Sequence, residues 1–304
     1  MSRLYDTIEP SVIDDEMLNT AVEEQGPKEE AGKIAKAEGI DFADVGSLRL
    51  DYKNILKIDN LWCFKSLVKL QLDNNIIERI EGLDHLTNLV WLDLSFNNID
   101  VIEGLEKLVK LEDLTLYNNR ISRIENMDTL TNLHVLSLGN NDLDTLENIL
   151  YLRRFKNLRT LNLAGNPFCE NTEPSYKSYL VAFLPHLEYL DYRLIDEDTK
   201  DAAEKKFDVA IEELLHDERG AERKQKEKEE QEMQLQLHTA AFVERMDGSD
   251  LFESLYTEDV EGQKLNTMPG VDELLGEYGK KFTETCKNIF DVGLSKHEEE
   301  SPRS

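Results

Sequence analysis

The sequence predicts an α/β solenoid of about six tandem units with a C-terminal cap, flanked by acidic helical segments. Three observations predict it. An apolar pattern returns every 22 residues through the middle of the 304-residue chain, and one Asn holds a fixed place in nearly every copy. The third is charge: residues 45–194 carry 16 basic and 21 acidic side chains, a net of −5. Residues 1–44 (4 basic, 12 acidic) and 195–304 (15 basic, 30 acidic) hold the other −8 and −15 of a total of −28.

Residues 1–44 read as an acidic helical N-terminal segment, and KEEAGKIAKAEGIDFAD (28–44) suits a short helix over the first unit. The units fill residues 45–166. The clearest copy is LVWLDLSFNNI (89–99), with Leu89, Leu92, Leu94, Asn97 and Ile99 in register. It recurs at Leu67, Leu70, Leu72, Asn75, Ile77, at Leu111, Leu114, Leu116, Asn119, Ile121, and at Leu133, Leu136, Leu138, Asn141, Leu143. A sixth copy, Leu158, Leu161, Leu163, Asn166, follows after 25 residues, placing three extra residues near Arg153–Phe155. Upstream, Val45, Leu48, Leu50 and Ile55 make a degenerate first copy in which Lys53 replaces the Asn. The second half of each unit repeats as Ile80, Leu83, Leu86, then Ile102, Leu105, Leu108 and onward.

Tandem similarity at this period is the pattern of a leucine-rich repeat. Leu-x-Leu is a short strand with one face inward, because strand side chains alternate. The Asn falls where the chain leaves the strand, where its amide can satisfy backbone groups that burial would orphan. The three-residue apolar period of the second half suits a single helical or 3₁₀ turn. One unit cannot bury enough apolar surface to order its own backbone, so stability requires stacking and capped ends. Residues 167–194 supply the C-terminal cap through YKSYLVAFLPHLEYLD.

The register also names the outward positions of the strands. The third-position column is Ser47, Lys69, Trp91, Asp113, Val135, Thr160, and the fifth is Arg49, Gln71, Asp93, Thr115, Ser137, Asn162. Trp91, Phe96, Tyr117 and Val135 should therefore cluster on neighbouring strands, with Asp73, Asp93 and Asp113 as an acidic rim and Lys69 alongside. Exposed aromatics grouped on a concave surface are candidate binding anchors. Phe96 is open between a buried spine position and the surface. Cys63, in the second half of the first unit, reads as packing.

Residues 195–246 form a charged helix, opened by Asp196 and Asp198, with Phe207, Ile211, Leu214 and Leu215 on one face. MDGSD (246–250) breaks it. In the helical tail, 247–304, Leu275, Tyr278, Phe282, Cys286 and Ile289 suit a coiled-coil seam, a helix-in-groove ligand or a plain amphipathic helix.

Chemistry is missing. No phosphate-binding loop, dinucleotide fingerprint, nucleophile elbow or zinc-protease motif occurs, so no catalytic residue, metal ligand or cofactor is expected. Three cysteines without paired spacing give no disulfide framework. The acidic balance disfavours nucleic acid, and no stretch approaches the roughly 18 apolar residues of a membrane span. The sequence reads as soluble, intracellular and protein-binding.

The 22-residue class and its cap are similar to repeats of the phosphatase-regulator family, of spliceosomal A-prime-type proteins and of axonemal dynein light-chain proteins. The opening MSRLYDTIEPSVIDDEMLNTAVEEQ, the stretch DYKNILKIDNLWCFKSLVKLQLDNNIIERIEGL and the acidic helical tail resemble more closely the leucine-rich-repeat subunits of the nexin–dynein regulatory complex of motile cilia. That resemblance implies a cytoskeletal scaffold of the ciliary or flagellar axoneme that helps regulate dynein. Its implied partners are other subunits of the complex, axonemal dynein or doublet microtubules, and a coiled-coil partner on the tail. Such subunits continue into a long coiled coil, whereas this sequence ends at SKHEEESPRS, which reads as a shorter form. The alternative is a phosphatase-targeting subunit of the same repeat class.

Overall fold

In a computed structural model, residues 9–25, 39, 41–171, 175–257, 264 and 268–300 are described. Eight short strands form one sheet in chain order: β1 (Ser47–Arg49), β2 (Lys69–Gln71), β3 (Trp91–Asp93), β4 (Asp113–Thr115), β5 (Val135–Ser137), β6 (Thr160–Asn162), β7 (Tyr189–Leu190) and β8 (Arg193–Leu194). The first seven run parallel, and β8 turns back antiparallel on β7. Register is strict: Leu48, Leu70, Leu92, Leu114, Leu136, Leu161 and Leu190 are consecutive partners, and all are buried. The core is the stack of these leucines with those of the second half-units, Ile58 through Leu130.

The Asn ladder joins the units. Asn97 Nδ2 donates to the Leu94 carbonyl of its own strand at 3.0 Å and to Leu72 of the preceding unit at 3.0 Å, while its Oδ1 accepts from Ile77 N–H at 3.0 Å. Asn75, Asn119, Asn141 and Asn166 repeat the arrangement. Each Asn therefore serves the unit before it. That accounts for Lys53: among the described residues no repeat unit precedes the first, and its own backbone N–H groups at Lys53 and Ile55 are bound by Asn75. At the other end the Asp191 carboxylate accepts from Leu163 N–H and Ala164 N–H, the first of which has as its counterpart in earlier units a bond to a backbone carbonyl of the next strand.

The second half-units are tight turns closed by i→i+3 bonds, such as Leu86 N–H to Leu83 O and Leu89 N–H to Leu86 O. Only the fifth is long enough for a 3₁₀ helix, Glu147–Arg154, where the three extra residues fall. Each of the earlier turns begins at a left-handed residue: Asn60, Gly82, Gly104 and Asn126 have φ of 60°, 71°, 69° and 59°. A Cβ on Gly104 would lie 2.4 Å from the Ile80 carbonyl, whereas Asn126 donates its amide to the equivalent Ile102 carbonyl at 2.9 Å.

Helix α1 (Asp15–Gln25) closes the N-terminal end, burying Leu18, Ala21 and Val22 beside β1. Asp14 caps it, accepting from Met17 N–H, and Ser11 bridges to Ile55. The helix expected over 28–44 lies largely outside the described residues, except for a 3₁₀ turn, Phe42–Asp44, whose Phe42 stacks on Phe64 at 4.9 Å. Cys63 is exposed rather than packed, since the apolar positions of its turn are Leu61 and Phe64. The C-terminal cap contains α2 (Tyr176–Phe183), and Tyr176 donates its hydroxyl to Asp191 at 2.6 Å.

The chain divides into two units, Met1–Glu212 and Glu213–Ser304. Helix α3 (Glu197–Ala240) is capped by Asp196 and loses helical geometry at Phe207, whose ring meets Tyr179 and Phe183. In the second unit, α4 (Asp250–Thr257) packs on α5 (Val271–Glu300), with Phe252 against Tyr278 and Phe282. Among the described residues no helix is long and apolar enough to cross a membrane.

Candidate functional site

The outward residues of β1–β7 form one continuous face. Its third-position column is Ser47, Lys69, Trp91, Asp113, Val135, Thr160 and, added by the cap, Tyr189. The central Leu of each strand points inward and leaves its two neighbours outside, the alternation that the sequence pattern implies.

Trp91 is half-buried and held on both sides. Lys69 Nζ sits 4.0 Å from its ring centroid, a cation–π contact from the preceding strand. Its indole N–H faces Asp113 on the following strand. Asp93, two residues on from Trp91, accepts from Ser95 N–H at 2.9 Å and from the Ser95 hydroxyl. Burial pushes Asp93 above the ordinary carboxylate range against the Ser95 bonds, and Asp73 adds to the rise. Burial likewise raises Asp113 against the Trp91 bond, with Asp93 adding to it. These acids were expected as a rim; instead Asp93 and Asp113 flank Trp91 within the face, because strand register sets them beside it.

Phe96 resolves to the surface. Its φ is 54° and it is 45% exposed, at the place where other units carry Asn74, Asn118 and Asn140. It meets Tyr117 edge-on at 5.5 Å, and the Tyr117 hydroxyl accepts from Asn140 at 2.7 Å. The aromatics therefore divide into two groups: Trp91 with Lys69, Asp93 and Asp113, and Phe96 with Tyr117 at the edge where the chain leaves the strands. Val135 is half-buried in the third column, next to Asp113 and Thr160. A cleft of about 430 Å³ runs along the Phe96 edge, lined by Tyr52, Asn74, Phe96, Asn98, Asn118 and Arg120.

One outward aromatic was missed, and a second joins the face as its register position implies. Tyr189 was set aside as cap although Leu187 and Leu190 repeat the Leu-x-x-Leu spacing that places it in the column. Tyr52 shares the left-handed position of Phe96 with φ 55°. Among the described residues no group of acidic, His or Cys side chains has the arrangement to hold a metal ion.

A leucine-rich-repeat family model matches residues 86–217. The repeat is a leucine-rich repeat. Beyond the repeat itself, the chain is 63% identical over 298 residues to dynein regulatory complex subunit 3 of Macaca fascicularis, covering 98% of this chain and 57% of that protein. The protein of the same name from Homo sapiens is 61% identical with the same coverage. The chain thus spans just over half the length of the curated relatives it matches. Among solved structures, the Drosophila melanogaster SNF/U2A′ complex aligns at 28% identity over 55% of this chain and 87% of that one, with a TM-score of 0.38. The resemblance expected from the sequence extends over nearly the whole leucine-rich-repeat chain.

Proposed function

We propose that this chain is a non-enzymatic structural and regulatory subunit of the nexin–dynein regulatory complex, and that its concave sheet face docks partner subunits. The observation that carries the assignment is the identity of 61–63% to relatives named dynein regulatory complex subunit 3, unbroken from the N-terminal segment through the tail. In this reading the protein works in the axoneme of the cilium or flagellum and helps regulate axonemal dynein. Docking on the sheet face is supported by Trp91, Phe96 and Tyr117 standing outside a core that the leucines fill without them. A coiled-coil partner on α5 is supported by Tyr278 and Ile289, which stay exposed although Phe252 covers Phe282.

Affinity pull-down from ciliated cells tests the assignment. Recovery of other dynein regulatory complex subunits is expected; recovery of a phosphatase catalytic subunit alone would overturn it. Trp91→Ala should cut recovery strongly, as removal of a central aromatic anchor costs about 2 kcal/mol or more in binding. Its melting should fall well short of the loss in Leu92→Ala, about 3–5 kcal/mol for a core deletion one residue away.

A further inference from the structure

Charge on the Trp91 patch is unbalanced, and its carboxylates lie on the sheet face rather than on the outer turns. On the outer turns, some acids pair with bases from the neighbouring unit: Glu103 with Arg79 at 2.8 Å and Glu81 with Lys57 at 3.9 Å. On β1, Arg49 closes on Asp51 at 2.6 Å. The next three carboxylates along the face, Asp73, Asp93 and Asp113, have no such partner. Among the described residues none of the three forms an ion pair, and each unfavourably feels the next: Asp73 acts on Asp93, and Asp93 on Asp113. Their donors are neutral: the Ser95 hydroxyl and N–H, the Asn74 and Gln71 amides, the Thr115 hydroxyl and the Trp91 indole. Lys69 is the cation near them, and its ammonium rests over the Trp91 ring.

Three carboxylates and one ammonium within two strand spacings, about 10 Å, leave the patch near −2. An aromatic face beside carboxylates suits a guanidinium or ammonium, which stacks on the ring while its N–H groups reach the acids. We propose that this patch receives a basic segment of a partner protein, whose Arg or Lys side chain takes the place of Lys69 over Trp91 and pairs with Asp93 and Asp113. This rests on the docking reading above and gives it a partner chemistry. An acidic segment is rejected by the same charges, and Lys69 marks where the incoming cation sits.

The chain has two tryptophans, so Trp62→Phe leaves Trp91 as the sole tryptophan, excited apart from the tyrosines at the red edge of the absorption band. The probe is an Ala/Gln helical peptide of about 20 residues with Arg at every fourth position, beside its Glu counterpart. The Arg peptide should shift Trp91 emission saturably and the Glu peptide should not. Asp93→Asn/Asp113→Asn should weaken binding about ten-fold or more. Asp100→Asn/Glu106→Gln, which removes the same charge from exposed turns, should change it by less than about three-fold. Calorimetric titration of the chain with both tryptophans gives the same comparison without the Trp62 substitution. Equal weakening by both double variants would reduce the effect to the overall negative charge and overturn the proposal, as would no binding of the Arg peptide. Pull-down separates the two levels. If Trp91→Ala loses the complex subunits and Asp93→Asn/Asp113→Asn keeps them, docking stands and the basic partner falls. If neither variant changes recovery, the docking reading falls too.

Discussion

Asn97 shows how much one side chain does in this fold. It is buried, donates to three carbonyls (Leu72, Leu94 and Ser95) and accepts from Ile77 N–H. Asn97→Ala would orphan the Ile77 N–H in the core, at about 1–3 kcal/mol for a buried group left unpaired, while Leu72, Leu94 and Ser95 keep donors in Asn75, Asn119 and the Asn74 N–H. Urea unfolding should show a loss of about 1–3 kcal/mol, exceeding that of an exposed-turn substitution such as Glu106→Gln. Tyr52 gives the opposite case. It is 70% exposed in a left-handed conformation that other units assign to Asn. L-residues other than Gly and Asn pay about 1–2 kcal/mol there. Tyr52→Asn should therefore raise stability by about 0.5–1 kcal/mol in the same assay, with little burial to lose. An aromatic kept at that cost, in the first unit as at Phe96, fits a surface used for contact.

At the scale of elements, strands were legible to within one residue and turns were not, since each strand starts one residue before its Leu-x-Leu pair. The Leu-x-Leu core appears unaltered in the sequence because each strand buries one face, and β1–β6 begin at the third position of each copy as the register requires. The rest depended on partners far along the chain. Asp191 takes the N–H groups at the end of the last repeat's strand from beyond that repeat, which no 22-residue alignment reaches, and Tyr189 joins the outer column by the same route. The N-terminal helix lies at 15–25 because Leu18, Ala21 and Val22 cover the first unit, a match of surfaces that local composition does not encode. Phe96 was undecidable because its placement follows from backbone conformation rather than from apolar spacing. The left-handed turn position shows the same dependence and is open to test. A Cβ on Gly104 would fall 2.4 Å from the Ile80 carbonyl oxygen, closer than a Cβ tolerates. Gly104→Ala should cost about 2 kcal/mol or more through that clash and its φ of 69°. Gly104→Asn should cost less, since an amide can donate to that carbonyl as Asn126 does to Ile102. Equal losses in thermal melts would mean that the side-chain bond contributes nothing.

For the whole molecule, the acidity that keeps the flanks solvated also reaches onto the sheet face, where its consequence depends on pH. Asp51 is held below the ordinary carboxylate range by Arg49, so its contribution is present at neutral pH and is lost as pH falls through its folded-state value. Asp93 and Asp113 have the opposite sign. Burial raises both, so the folded chain takes up protons before the unfolded one, and each carries a penalty at neutral pH that fades as pH falls through its raised value. Below the ordinary carboxylate range that penalty is gone. Asp93→Asn removes it while keeping an oxygen to accept from Ser95, so its melting point should exceed that of the natural sequence by about 1–2 °C at pH 7. The difference should shrink steadily on acidification and disappear by about pH 4. A bound cation pairing with Asp93 would lower its proton affinity again, so saturating the face with the Arg peptide should abolish the advantage of Asp93→Asn at pH 7. An advantage unchanged by saturating peptide would mean that the cation does not reach Asp93. The face would then be acidic for a reason other than its partner.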